Sequence, residues 1–219
     1  MFRASTCFMI LVFLSLPALA QQSVTVGGKQ AILHVPPNAR ASAVLVPGRA
    51  GIVPNDPLVR NRKALNEAGI ATLTVPHGTV LGQAVKYMRA IKEPVALVGM
   101  SAGVSFAARG VGNGAKPDSL VLISGSLMPP GGKIGSAQEL LKNASAMPRT
   151  LILHNRSDGC EYTPPSAVEP FVKWSGGKAR VRWIGGSGPG KDPCGPNSAH
   201  GFAGADGEVV SALAGFVAP

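Results

Sequence analysis

Short apolar runs alternate with longer segments of mixed polarity along most of the chain. Most of these runs are four to six residues long and rich in valine, leucine and isoleucine, which is typical of buried strands. The predicted strands are 23–26 and 29–35, joined as a hairpin by Gly27-Gly28, and then 41–46, 70–75, 95–98, 119–124, 150–154 and 179–184.

The segments between the strands carry helix signals. Asp56, Ser136 and Asp206 are expected to cap helices, with a capping box opening at Ser136, and Gly69 is expected to end the first helix. The predicted helices are 57–68, 83–91, the segment directly after Ser101, 137–146, 165–174 and 207–217. Strands that alternate regularly with helices predict an α/β protein, with a mostly parallel sheet covered by helices on both faces.

One junction between a strand and a helix has an unusual composition. The apolar run 95–98 leads into Gly99-Met100-Ser101-Ala102-Gly103, and a helix of small residues follows. A sharp turn from a buried strand into a helix needs glycine on both sides, because a Cβ there would clash with neighbouring elements. Ser101 at the apex is therefore expected to be strained, with its hydroxyl exposed near a helix N-terminus that favours negative charge.

This Gly-x-Ser-x-Gly junction resembles the nucleophile elbow of the α/β-hydrolase family, with Gly99 and Gly103 as the elbow glycines. The order of predicted elements also matches that family over essentially the whole of 21–219. The resemblance implies a single-domain α/β-hydrolase fold with an N-terminal β-hairpin and no large cap. Compact, lidless esterases and dienelactone-hydrolase-like members are the most similar in architecture. A dienelactone hydrolase proper has a cysteine nucleophile, whereas this chain has serine.

The resemblance also implies the partners of the nucleophile. In the family an acid follows a late strand and a histidine precedes the last helix. Asp158, just beyond the 150–154 strand, and His200 occupy these two places, which implies a catalytic triad with Ser101. Asp192 and Glu161 are the alternatives for the acid. His77, at the end of another strand, is expected at the same edge of the sheet and is a candidate for lining the pocket.

An oxyanion hole is implied at two backbone positions. The first donor would be the N–H of Ala102, directly after the nucleophile. The second would come from the loop after the 41–46 strand, where the family often has a His-Gly motif and this chain has Pro47 in place of the histidine. By position the second donor is the N–H of Arg49, with Ala50 as the alternative.

The first 20 residues have the features of a secretory signal peptide. Arg3 gives a basic start, an apolar run covers 8–16, and Ala18-Leu19-Ala20 provides a small-residue cleavage site. The apolar run is too short for a dedicated membrane span. We therefore expect an exported protein, periplasmic or secreted, whose mature domain is 21–219 and which has no stable membrane insertion after signal removal.

Two cysteines remain after Cys7 is lost with the signal. In an oxidising compartment, Cys160 and Cys194 most simply form one disulfide bond. This bridge would tie the loop of Asp158 to the loop of His200. The low cysteine content predicts no metal site, and no organic cofactor is expected.

The charge of the chain is clearly basic. Of the 21 lysines and arginines only Arg3 precedes Gln21, which leaves 20 against 11 acidic residues and a net charge of +9. Such a charge favours anionic envelope polymers, anionic lipid surfaces or acidic substrates, or serves solubility alone. Because the basic residues are scattered and aromatic residues are few, no nucleic-acid partner is expected. The oligomeric state is left open.

These features together predict a serine hydrolase that cleaves a small carboxylic ester or thioester. An ester that carries a negative charge is a candidate substrate. Two alternatives are left open at this point. The first is an acyltransferase or envelope-polymer deacylase with the same triad. The second is a binding protein that has the hydrolase fold without its activity, because a fold alone does not establish function.

Overall fold

The computed structural model describes residues 21–188 and 190–218; the predicted signal peptide lies outside these residues. One eight-stranded sheet runs through the molecule in the order β1-β2-β4-β3-β5-β6-β7-β8. Its strands are β1 Gln22–Val26, β2 Lys29–His34, β3 Ala41–Val46, β4 Ile70–Thr74, β5 Val95–Met100, β6 Ser119–Ile123, β7 Arg149–His154 and β8 Ala179–Trp183. The predicted strands are thus confirmed to within two residues at each end.

The sheet is mostly parallel. The strands β1 and β2 form the predicted antiparallel hairpin, and β2 joins β4 in antiparallel register. All other neighbouring strands, from β4 through β3, β5, β6 and β7 to β8, run parallel. The carboxyl ends of the parallel strands therefore meet at one edge of the sheet, the edge at which α/β proteins bind their ligands.

Seven helices cover the sheet within the described residues. They are α1 Pro57–Arg60, α2 Arg62–Glu67, α3 Leu81–Ile91, α4 Ala102–Gly112, α5 Ala137–Leu141, α6 Val168–Trp174 and α7 Asp206–Val217. The apolar sides of α3, α4, α5 and α6 pack on one face of the sheet, and those of α1, α2 and α7 pack on the other. This arrangement confirms the predicted α/β architecture. No helix in the described part of the chain is both long enough and apolar enough to cross a membrane.

The helix predictions differ from the structure at several places. The helix α3 begins two residues earlier than predicted, and the predicted start of α6, Pro165–Ala167, is a 3-10 helix. The first helix is divided into α1 and α2 at Asn61. The helix after Ser136 has the predicted capping box but ends at Leu141, because Lys142 has a positive φ of 65°. The N-cap of α7 is Ala205, and Asp206 is its first residue, so the prediction of Asp206 as the cap was wrong. The Asp206 carboxylate instead binds the side chains of Arg60 and Asn61.

Candidate active site

The turn between β5 and α4 is tight and strained. Ser101, between the strand and the helix, has φ 53° and ψ −119°, a region that residues other than glycine rarely occupy. A Cβ on Gly99 would lie 2.5 Å from the carbonyl oxygen of Gly103. A Cβ on Gly103 would lie only 2.1 Å from the carbonyl oxygen of Val46. The turn therefore requires both glycines that the sequence pattern singled out.

Three side chains from separate segments form one hydrogen-bonded row. The Nε2 atom of His200 lies 2.9 Å from Ser101 Oγ, and its Nδ1 atom lies 2.9 Å from Asp158 Oδ2. His200 lies in a short 3-10 helix, Ala199–Gly201, and only 1% of its surface is exposed. Ser101 is only partly buried, so solvent reaches the row from the serine end.

The loop after β7 holds the carboxylate of this row. Asp158 Oδ1 accepts the backbone N–H of Cys160 at 2.9 Å. The hydroxyl of Thr163 lies 3.1 Å from Asp158 Oδ2 and also 3.1 Å from His200 Nδ1. The predicted disulfide bond between Cys160 and Cys194 is present. The carboxylate is thus fixed by hydrogen bonds on both of its oxygens.

The two alternative acids lie elsewhere. Asp192 Oδ1 accepts the N–H of Cys194 at 2.9 Å, and the residue is exposed at the rim of the cavity. Glu161 is exposed and hydrogen-bonds the hydroxyl of Tyr162, which raises the pKa of that tyrosine. Neither carboxylate hydrogen-bonds His200, whereas Asp158 does.

Ser124 supports the backbone of the histidine segment. It follows β6 directly, is fully buried and has a positive φ of 42°. Its hydroxyl donates to the carbonyl oxygen of His200 at 2.8 Å. Sequence reasoning missed both Ser124 and Thr163. Ser124 had a weak signal, because it is a polar residue at the carboxyl end of a parallel strand. Thr163 has no sequence signal.

A second histidine lies behind the carboxylate. The side chain of His154 is fully buried, with Nδ1 3.9 Å from Asp158 Oδ2 and 3.0 Å from the backbone nitrogen of Asn155. Its Nε2 atom has no hydrogen-bond partner within the described residues. Burial lowers the pKa of His154 below its usual value, because the charged imidazolium would lose its hydration there. This ring is therefore neutral in the folded protein near pH 7.

The loop after β3 presents backbone N–H groups beside the serine. The N–H of Gly51 bonds to the carbonyl of Gly48, which makes the segment a tight turn. Arg49 and Ala50 lie between Gly48 and Gly51, and their N–H groups have no acceptor among the described residues. Ala102 is the first residue of α4, so its N–H also lacks an acceptor within the helix. Free donors thus lie at each position that the sequence indicated for an oxyanion hole.

Asp56 connects this loop to the start of α1. Its Oδ2 atom accepts the N–H of Gly48 at 2.8 Å, and its Oδ1 atom accepts the N–H of Leu58 at 2.9 Å. Burial raises the pKa of the Asp56 carboxyl, and the backbone donors oppose that rise. The predicted helix cap is therefore also an anchor for the loop, and the N–H of Gly48 is already used.

His77 contacts the residue at which the same loop begins. Its Nε2 atom lies 3.0 Å from the carbonyl oxygen of Pro47, and its ring stacks on Phe106 with centroids 4.2 Å apart. His77 does not line the cavity at Ser101, as the sequence had suggested it would. It instead holds the strand end from which the loop begins.

A cavity of about 550 Å³ opens above Ser101. Ser101, Ala102 and His200 form its floor, and no cap covers it in the residues that the structure describes. Two cationic residues, Arg49 and Lys133, line its sides, and neither side chain forms a salt bridge or hydrogen bond within 21–188 and 190–218. In that same part of the chain, no group of three or more His, Cys, Asp or Glu side chains is arranged so that it could hold a metal ion.

The fold occurs in many solved structures. Est1E from Butyrivibrio proteoclasticus is 16% identical, with 90% of this chain and 96% of that chain covered and a TM-score of 0.64. A dienelactone hydrolase from Anabaena variabilis is also 16% identical, with 90% and 95% covered and a TM-score of 0.63. An esterase/lipase from an uncultured bacterium is 13% identical, with 94% and 86% covered and a TM-score of 0.64.

No protein-family model matches the chain, and no curated protein matches it in sequence. At these low identities the structural likeness establishes the fold. It extends over at least nine tenths of this chain in each of the three comparisons, so the match is not limited to the sheet. The chain has the α/β-hydrolase fold.

Proposed function

We propose that this protein is a serine hydrolase that cleaves small carboxylic esters or thioesters through an acyl-enzyme. The observation that carries the proposal is the row of hydrogen bonds from Ser101 through His200 to Asp158, each 2.9 Å long. A serine hydroxyl is a weak nucleophile until a base takes its proton and a carboxylate orients that base. The esterases among the structural neighbours support the same activity class.

His200 is the base of the proposed mechanism. With its Nδ1–H donating to Asp158, its Nε2 atom is free to accept the Ser101 proton as Oγ attacks the substrate carbonyl. The same proton then passes from Nε2 to the leaving alcohol, and an acyl-serine remains. Water, deprotonated by His200, attacks the acyl carbonyl, and the bond to Oγ breaks. The carboxylic acid leaves, and His200 returns the proton to Ser101 Oγ. The Asp158 carboxylate keeps its charge and stabilises the imidazolium in both steps.

The tetrahedral intermediate carries a negative oxygen that needs donors. The N–H of Ala102 provides the first, at the N-terminus of α4, where the helix dipole also favours negative charge. The N–H groups of Arg49 and Ala50 are the candidates for the second. Because Asp56 binds the N–H of Gly48 and His77 contacts the carbonyl of Pro47, the start of this loop is held in place before the substrate binds.

The cavity suggests the size and charge of the substrate. A volume of about 550 Å³ admits a small acyl or aromatic group. The uncompensated cations Arg49 and Lys133 favour esters that carry a carboxylate. Est1E has been solved with ferulic acid bound, so feruloyl esters belong among the substrates to test. Transfer to an acceptor on an anionic polymer is the second candidate activity, and the same two cations favour it.

The cellular location of the protein is also part of the proposal. The signal-like segment at 1–20 and the disulfide bond between Cys160 and Cys194 both suit an exported, oxidising location. Fractionation of cells that express the full chain, with the mature N-terminus determined by mass spectrometry, tests this. An N-terminus at Gln21 in the exported fraction is expected, and an intact Met1 in the cytosol would contradict it.

Labelling with a fluorophosphonate tests the activity. We expect a single adduct on Ser101, no adduct in Ser101→Ala, and a rate at least 100-fold lower in His200→Ala. Ser105→Ala is the matched control, since Ser105 also lines the cavity and should leave the adduct intact. Matched neutral and carboxylate-bearing esters then measure the preference for charge. A folded protein without any adduct would contradict the proposed activity and support the binding-protein alternative.

A further inference from the structure

Arg60 lies outside the cavity, yet its side chain contacts the histidine segment at several points. All three guanidinium nitrogens are engaged, and only 19% of the side chain is exposed. Its Nη2 atom donates to the carbonyl of Gly201 at 2.7 Å, and its Nη1 atom donates to the carbonyl of Pro196 at 3.0 Å. These two carbonyls lie on either side of His200 in the chain.

The same guanidinium also binds elements outside that segment. Its Nε atom donates to Asp206 Oδ1 at 2.9 Å, at the start of α7. Its Nη1 atom donates in addition to the carbonyl of Asn55 at 2.9 Å. Asn55 directly precedes Asp56, whose carboxylate holds the N–H of Gly48. Arg60 thus connects the segment of the base to the loop of the proposed oxyanion donors.

We infer that Arg60 is a positioning residue for the reaction: it fixes His200 relative to Ser101 and couples that position to the oxyanion loop. The inference rests on the proposed function. The base and the candidate donors of the loop after β3 come from segments about 150 residues apart in sequence, and they must keep one geometry during catalysis. Hydrogen bonds within each loop do not set the distance between the loops. The Arg60 guanidinium bonds directly to the histidine segment and reaches the oxyanion loop through Asn55 and Asp56.

The shape of the guanidinium is essential to this role. Arginine presents its donors in a fixed planar fork, whereas lysine has a compact charge on a flexible stem. Arg60→Lys would keep the charge and the ion pair with Asp206 but would lose contacts to the carbonyls of Asn55, Pro196 or Gly201. That substitution separates geometry from charge. Lys63→Gln is the matched control, because Lys63 lies on the adjoining helix, is 82% exposed and pairs with Glu67.

The experiment compares the rate of fluorophosphonate labelling, kcat and KM for the wild type, Arg60→Lys and Lys63→Gln, each per folded molecule. A displacement of His200 by about 1 Å should lower the labelling rate and kcat by about 10- to 100-fold, with KM nearly unchanged. Amide hydrogen exchange across 196–202 should become faster in Arg60→Lys alone. A purely stabilising role would lower the unfolding midpoint and leave the rate of the folded molecules unchanged.

Each outcome decides the inference. A folded Arg60→Lys that labels as fast as the wild type would overturn it and leave the proposed function intact. If Arg60→Lys does not fold, Asp206→Asn replaces it. A labelling rate about 3- to 10-fold lower in that variant supports the inference, and an unchanged rate overturns it. A wild type without any adduct would refute the proposed function, and the inference would fail with it.

Discussion

The Asp56 carboxylate accepts the backbone N–H of Gly48 at 2.8 Å while it also caps α1. Replacement by asparagine leaves one acceptor oxygen where two are needed. We expect Asp56→Asn to lower kcat by about 10-fold with little change in KM, because the loop loses its anchor and its N–H donors are less well placed. Steady-state hydrolysis of a short-chain ester measures the effect.

Asp118→Asn is the matched control for Asp56→Asn. Asp118 also accepts a backbone N–H, from Val95 at 2.7 Å, but it lies at the opposite edge of the sheet. The Asp118→Asn substitution should lower the free energy of unfolding by about 1–2 kcal/mol and leave kcat unchanged. Equal losses of kcat in both variants would indicate a general effect on folding.

Thr163 offers a second test, at the acid–base pair. Thr163→Val keeps the shape of the side chain but removes the hydroxyl that contacts both Asp158 and His200. A hydrogen bond to a charged group contributes about 1.5–3 kcal/mol, so kcat should fall about 10-fold or more. Thr163→Ser retains the hydroxyl and should stay within about 3-fold of the wild type. Wild-type kcat in Thr163→Val would show that the bridging contact is dispensable.

The close packing at Gly103 predicts that adding even a methyl group at this residue lowers the stability of the protein. A Cβ there would meet the carbonyl oxygens of Val46 at 2.1 Å and Pro47 at 2.6 Å, both of them backbone atoms. Gly103→Ala should therefore lower the thermal midpoint sharply or prevent folding. Gly215→Ala, in the last turn of α7 with open space around it, should instead raise stability by about 0.4–1 kcal/mol. Thermal unfolding of both variants makes the comparison.

The buried His154 predicts a loss of stability in acid. Its folded-state pKa is lowered by burial, so the unfolded chain takes up a proton at a higher pH than the folded chain does. The free energy of unfolding should therefore decrease as the pH falls below about 6.5, until the folded-state pKa is reached. His154→Gln cannot titrate there and should show a flatter profile. Urea unfolding from pH 8 to pH 5 measures it, and parallel profiles would refute the assignment.

The secondary structure was readable from the sequence because its signals are local. The apolar runs gave every strand, and Gly27-Gly28 gave the hairpin, since both patterns depend only on neighbouring residues. The helix boundaries were less accurate at Asn61 and Lys142. At Asn61 the chain leaves the first helix where the Asn61 side chain binds Asp206, 145 residues away in sequence. At Lys142 the helix ends with a positive φ that no local signal in the sequence marks.

The site was predictable only in part, for a related reason. Ser101, Asp158 and His200 were identified because each follows or precedes a recognisable element in a known order. Thr163 and Arg60 have no such marker. Their roles arise from contacts over long separations, 146 residues for Arg60 and Asp206, which neither composition nor periodicity encodes.

The bridge between Cys160 and Cys194 closes a covalent ring that contains α6 and β8. The glycine-rich segment 185–188 belongs to this ring, whereas Asp158 precedes it and His200 follows it. A protease that cuts the main chain within that segment therefore does not release either side. The two pieces stay one molecule, with Asp158 on one piece and His200 on the other, so a cut there leaves both residues in the same covalent molecule.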